Sequence, residues 1–155
     1  MKKKVSEIPG EEYYKEGGFI YCTYEIPEKK YSYANQYLNL DGKKWSFNAT
    51  QKKYVRMIAD ICAKKNIELV FVTAPIANVS MGFINNYSQI HNEIAEFANE
   101  TGVPYIDYNI VNMEEYLLSN KNFRDDAHVN YSGSVIVGEH FARWLGENIR
   151  VYNGG

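Results

Sequence analysis

The run Leu69-Val70-Phe71-Val72-Thr73-Ala74, closed by Pro75, constrains this chain more than any other feature. It is continuous and apolar, rich in β-branched and aromatic residues, and lacks the polar alternation of a strand with one wet face. Such a run predicts a strand buried on both faces, as in a parallel sheet layered between helices. The flanking sequence supplies the helices. Upstream, Asn48 and Gln51 have the spacing of a capping box, and Tyr54, Ile58, Ile61 and Cys62 recur on one helical face. Lys64 and Lys65 suit the negative pole of a helix dipole and Asn66 a left-handed cap, so a helix is expected over about 49–65. Downstream, a loop over 78–82 leads to a helix with Tyr87, Ile90, Ile94 and Phe97 on one face and Gly102 as its stop. A strand over 104–108, a short helix around 113–118, a polar loop over 119–126 and a last helix over about 131–148 follow. That helix would bury Val137, Phe141, Trp144 and Leu145. The alternation predicts an α/β fold with right-handed parallel crossovers.

The first 47 residues read differently, with seven of the fourteen tyrosines, several turn residues and no sustained helical period. They predict an irregular, tyrosine-rich extension. Within it Phe19-Ile20-Tyr21-Cys22-Thr23-Tyr24-Glu25-Ile26, closed by Pro27, has strand composition, and Leu40-Asp41-Gly42-Lys43 reads as a tight turn. The expected organisation is an extension over 1–47, an α/β unit over 48–150 and a tail over 151–155. An apolar fraction of 45% argues against wholesale disorder, and a net charge of -2 offers no positive field to a phosphate backbone, so nucleic acid is not an expected partner. Cys22 and Cys62 match no metal-ligand spacing and are read as small packed apolar groups. No apolar run approaches the roughly 20 residues of a bilayer span, and Met1-Lys2-Lys3-Lys4 is followed by Val5-Ser6-Glu7-Ile8-Pro9 instead of an apolar signal region. Neither signal nor anchor is expected within this stretch.

Chemistry is best suited to Phe123-Arg124-Asp125-Asp126-Ala127-His128-Val129-Asn130-Tyr131-Ser132-Gly133, a polar loop feeding the final helix. Ligands bind at the carboxyl edge of open α/β sheets. A histidine there can act as general base toward a hydroxyl, and an aspartate three residues earlier can orient its ring and stabilise the imidazolium. Asn130 is the natural helix cap, and Gly133 would allow close packing of that helix. The plainer alternative makes Asp125 and Asp126 solvated loop charges. His91 and His140, inside helices without a partner pattern, read as structural.

This segment resembles the last conserved block of SGNH (GDSL-like) hydrolases, in which Asp-x-x-His opens the terminal helix. It is especially similar to the branch written D-x-x-H-L-N-x-x-G, which includes bacterial cell-envelope proteins resembling the D-alanyl-lipoteichoic acid biosynthesis esterase and the alginate-acetylation proteins. The run Leu69 to Ala74 before Pro75, the helix from Tyr87 and Gly102-Val103-Pro104-Tyr105-Ile106-Asp107 agree in order, so the resemblance spans about 48–149. It implies a partial three-layer, flavodoxin-like SGNH fold with His128 as base and Asp125 as its orienter, and no metal or cofactor. It further implies hydrolysis or O-acyl transfer on cell-envelope carbohydrate or polyol esters, in an extracytoplasmic or membrane-anchored parent protein. The family's Gly-Asp-Ser nucleophile block and its oxyanion-hole Gly and Asn blocks are not visible. Ser80 alone follows a strand near the expected rim, without a strained elbow turn. The expectation is the C-terminal part of such a domain, inactive by itself.

Two other classes remain open: a carbohydrate-binding or structural module whose tyrosines stack on sugar rings, and a metal-dependent hydrolase using Asp125, Asp126 and His128 with further ligands. If strands of the full fold are missing, the 69–74 strand should lack a neighbour. Its edge would then be covered by a homodimer, by a swapped element, or by the 19–26 strand folding back.

Overall fold

The computed structural model describes residues 11–26 and 38–149. The tail over 151–155, Pro27, and Tyr31, Tyr33 and Tyr37 of the tyrosine-rich segment lie outside them. The described chain is mixed α/β. Strand β1 (Glu12–Tyr14) pairs antiparallel with β2 (Ile20–Cys22), β3 (Leu38–Asn39) pairs parallel with β5 (Ile84–Asn85), and β4 (Phe71–Thr73) pairs parallel with β6 (Tyr105–Asp107). The helices are α1 (Ala49–Lys64), α2 (Asn78–Met81), α3 (Ser88–Thr101), α4 (Tyr108–Glu115) and α5 (Tyr131–Asn148), of which α3 packs on β6 and α4 on β4.

The helix ends follow their local chemistry. Asn48 accepts from the Gln51 amide while Gln51 returns a bond to Asn48, completing the capping box of α1. Asn66 and Gly102 take the left-handed conformation after α1 and α3. Asn130 accepts from the Gly133 amide at the start of α5. The Lys43 amide closes the expected turn on the Leu40 carbonyl.

Four expectations are corrected. The 69–74 strand is not buried on both faces: β4 has β6 on one edge and no described strand on the other, and Val72 is 47% exposed. The expected inner face of α1 is turned outward, with Tyr54, Ile58 and Ile61 each at least half exposed. The reason is that α1 attaches to α3 through charge: Lys52 pairs with Glu93 at 2.8 Å, Arg56 pairs with Glu100, and both cations lie over the Phe97 ring. Finally, the short helix begins at Tyr108, directly after β6, because the Asp107 side chain caps the Asn109 amide. The strand expected over 19–26 is confined to Ile20–Cys22 and pairs with β1, so it does not fold back onto β4.

The tightest core joins distant segments. Ile26, Ala77, Leu118 and Phe123 are buried together, with Val129, Ile136 and Val137 packed around them. The inward face of α5 is half-buried at Val137, Phe141, Trp144 and Leu145. Gly133 is its only fully buried residue, and a Cβ there would collide with the Asn122 carbonyl oxygen. At Gly138 a Cβ would meet nothing. Gly133→Ala should therefore destabilise by about 1–3 kcal/mol through overpacking, whereas Gly138→Ala should be neutral or stabilising by up to about 1 kcal/mol through helix propensity. Urea denaturation of the two variants checks the difference in sign.

Candidate functional site

The loop before α5 is anchored by Phe123, fully buried, and closed by the Arg124 amide on the His128 carbonyl at 2.9 Å. Inside this closure the Asp125 Oδ1 accepts from the backbone amides of Ala127 (3.0 Å) and His128 (2.9 Å) and from the His128 Nδ1 (2.8 Å). A carboxylate only accepts, so Nδ1 carries the proton and Nε2 is left as the basic nitrogen. The His128 ring is 71% exposed, and Nε2 has no partner among the described residues. The sequence expectation of an Asp125–His128 contact is met in geometry. Asp126 is exposed; its carbonyl accepts from the Ala77 amide at 3.0 Å, which ties the loop to the segment leaving the carboxyl end of β4.

Partial burial pushes the Asp125 carboxyl up, but the hydrogen bonds from Ala127 and His128 outweigh it and hold the group below the usual aspartate range. Arg124 bridges to Asp125 Oδ2 at 3.3 Å and to Glu12 at 3.4 Å, linking the β1–β2 hairpin to the same carboxylate. Beside it Tyr13 stacks on Tyr21, Tyr21 packs on Tyr131, and Lys15 lies over the first two rings.

Ser80 lies in α2, and no serine or threonine hydroxyl among the described residues bonds to the His128 ring. No group of three or more His, Cys, Asp or Glu side chains able to hold a metal occurs among the described residues, so Asp125, Asp126 and His128 have no further ligand there. Cys22 and Cys62 are free thiols, and burial raises the Cys22 thiol.

Sequence reasoning missed a second polar centre. The Asp107 side chain, 1% exposed, receives hydrogen bonds from Tyr87 Oη, Tyr105 Oη, the His91 Nδ1 (3.0 Å) and the Asn109 amide. Burial, with the Asp107 charge adding to it, pushes both phenols well above their usual range. The available signal was two spacings: Tyr87 and His91 share a helix face four apart, and Tyr105 and Asp107 share a strand face two apart. His140 contacts Tyr108 Oη at 3.2 Å, in keeping with a structural role.

No protein-family model matches this chain, and no curated protein and no solved structure matches it.

Because Asp125 is depressed in the folded state, its stabilisation is present above the ordinary aspartate value of about 4 and fades as pH falls through the lower folded value. Asp125→Asn should thus be less stable than the parent at pH 7, and that difference should be smaller at pH 3. Denaturation curves at both pH values read the outcome.

Proposed function

We propose that this chain supplies the acid–base part of a serine-dependent acyl-ester hydrolase or O-acyltransferase of the SGNH type, acting on a carbohydrate or polyol ester of the cell envelope. The carrying observation is the 2.8 Å bond from His128 Nδ1 to Asp125, with the other ring nitrogen free. In this reading Nε2 removes the proton of an attacking hydroxyl and later returns it to the leaving alcohol, while Asp125 holds the tautomer and offsets the imidazolium charge. The hydroxyl and the oxyanion donors come from polypeptide beyond the described residues, and the complete arrangement is a three-layer, flavodoxin-like domain. Support comes from the Asp-x-x-His-Val-Asn order at the head of the last helix and from the loop's attachment to the exit of a parallel strand.

The experiment is hydrolysis of 4-nitrophenyl acetate. The 155-residue chain should be no faster than a surface imidazole, and Ser80→Ala should leave its rate unchanged. In a polypeptide that also carries a Gly-Asp-Ser nucleophile block, His128→Ala should lower kcat by about 10⁶-fold, as for loss of the histidine from a serine triad. Robust turnover by the short chain, lost on both Ser80→Ala and His128→Ala, would assign the nucleophile to Ser80 instead.

A second reading, a non-catalytic carbohydrate-binding module, rests on the Tyr13–Tyr21–Tyr131 stack beside the loop. It separates from the first by titration with a non-hydrolysable glycan: loss of binding in Tyr13→Ala but not in His128→Ala favours it.

A further inference from the structure

The segment leaving β2 is built into the loop that carries Asp125 and His128. The Ile26 amide donates to the Phe123 carbonyl at 3.0 Å, Asn130 Nδ2 donates to the Tyr24 carbonyl at 2.9 Å, and the Ile26 side chain is buried with Phe123. Phe123 stands two residues before Asp125 and Asn130 two after His128, so the N-terminal part of the chain holds the loop at both ends. Strand β1 comes with it: Glu12, opposite Cys22 in the antiparallel register, meets Arg124 Nη1 at 3.4 Å. Arg124 Nε in turn meets Asp125 Oδ2 at 3.3 Å. The guanidinium thus lies between two carboxylates and closes on neither, both distances exceeding the about 2.7–2.9 Å of a charge-assisted hydrogen bond.

An arginine beside a single carboxylate tends to take both of its oxygens through the planar fork. At Asp125 that pairing has a consequence for the histidine. Oδ1 already receives the amides of Ala127 and His128 and the His128 ring, whereas one carboxylate oxygen offers two lone pairs. A further donor must displace the group that moves most easily. The two amides are fixed by the closure of the loop, the Arg124 amide on the His128 carbonyl at 2.9 Å, while the ring is 71% exposed and turns on its own side-chain torsions. The ring is what a closing guanidinium would expel. Glu12 is the second carboxylate paired with Arg124, and its pull opposes that closure.

We infer that Glu12 is a positioning residue for the acid–base pair: by holding Arg124 it keeps the guanidinium off the oxygen that orients His128. The inference rests on the reading of Asp125 and His128 as that pair, and it makes the N-terminal hairpin a working part of the site. The experiment is nuclear magnetic resonance of the 155-residue chain at pH 8, where long-range proton–nitrogen correlations of the imidazole rings distinguish the Nδ1–H from the Nε2–H tautomer and His128→Gln identifies the His128 signals. In the parent the Nδ1–H form should dominate. Glu12→Gln should shift the tautomer ratio toward Nε2–H by about fivefold, as for the loss of one hydrogen bond. Arg124→Gln alone should keep the parent's ratio, and Arg124→Gln added to Glu12→Gln should restore it, which a hairpin that had merely lost its packing would not do. Asp125→Ala should abolish the preference for Nδ1–H in every background. A ring that responds to Asp125→Ala but not to Glu12→Gln, or a Glu12→Gln effect that persists without Arg124, overturns the inference and leaves the acid–base reading standing. A ring indifferent to Asp125→Ala overturns both.

Discussion

A carboxylate removed from water at the end of a parallel strand is the constraint on which the other arrangements depend. Asp107 is 1% exposed, and an unpaired charge at that depth would cost several kcal/mol, so its donors are obligatory. Tyr87 and His91 fix α3 against β6; Tyr105 meets Thr73 of β4 through a 2.7 Å hydroxyl contact; the Asn109 amide starts α4. Asn109 extends the reach by accepting from the Ile76 amide and donating to the Ala74 carbonyl, which sets the path of the chain leaving β4. The next residue, Ala77, holds Asp126. A continuous series of hydrogen bonds thus runs from the buried carboxylate to the loop that carries Asp125 and His128.

Features governed by a few neighbouring residues were legible in the sequence. The capping box at Asn48, the left-handed residues Asn66 and Gly102, the Asn130 cap and the Asp125–His128 contact each depend on groups within four positions of one another. What was not legible depends on tertiary partners. Apolar periodicity located α1 but could not say that its Ile58 and Ile61 face outward, since that follows from Lys52 and Arg56 meeting Glu93 and Glu100 some forty residues away. The continuous apolar run at β4 was read as two buried faces because the pattern reports what the strand is suited to, and the described chain covers one edge. The start of α4 was misplaced because Asp107 looked like a strand residue, while its side chain doubles as a cap.

Charge does unusual duty at the α1–α3 seam. An amphipathic helix ordinarily packs through its apolar stripe, yet here aliphatic stems and cationic heads lie over Phe97, and Glu93, only 8% exposed, is drawn below its usual range chiefly by the Lys52 ammonium paired with it at 2.8 Å. The apolar stripe is left for other contacts, and the helix is held by interactions that carry direction as well as strength.

Asn130 spends every polar atom it has. Its Oδ1 accepts from Gly133 and Ser132, while Nδ2 donates to the carbonyls of Lys121 and Tyr24. The last partner is 106 positions away in sequence. The cap of the final helix is therefore also a long-range contact, and closing so large a loop is entropically slow relative to forming a helix turn. The last helix can begin to form early, but its first turn reaches its final hydrogen bonding only after the chain near Tyr24 has returned to it. One amide side chain thus couples the first turn of the last helix to the segment around Tyr24.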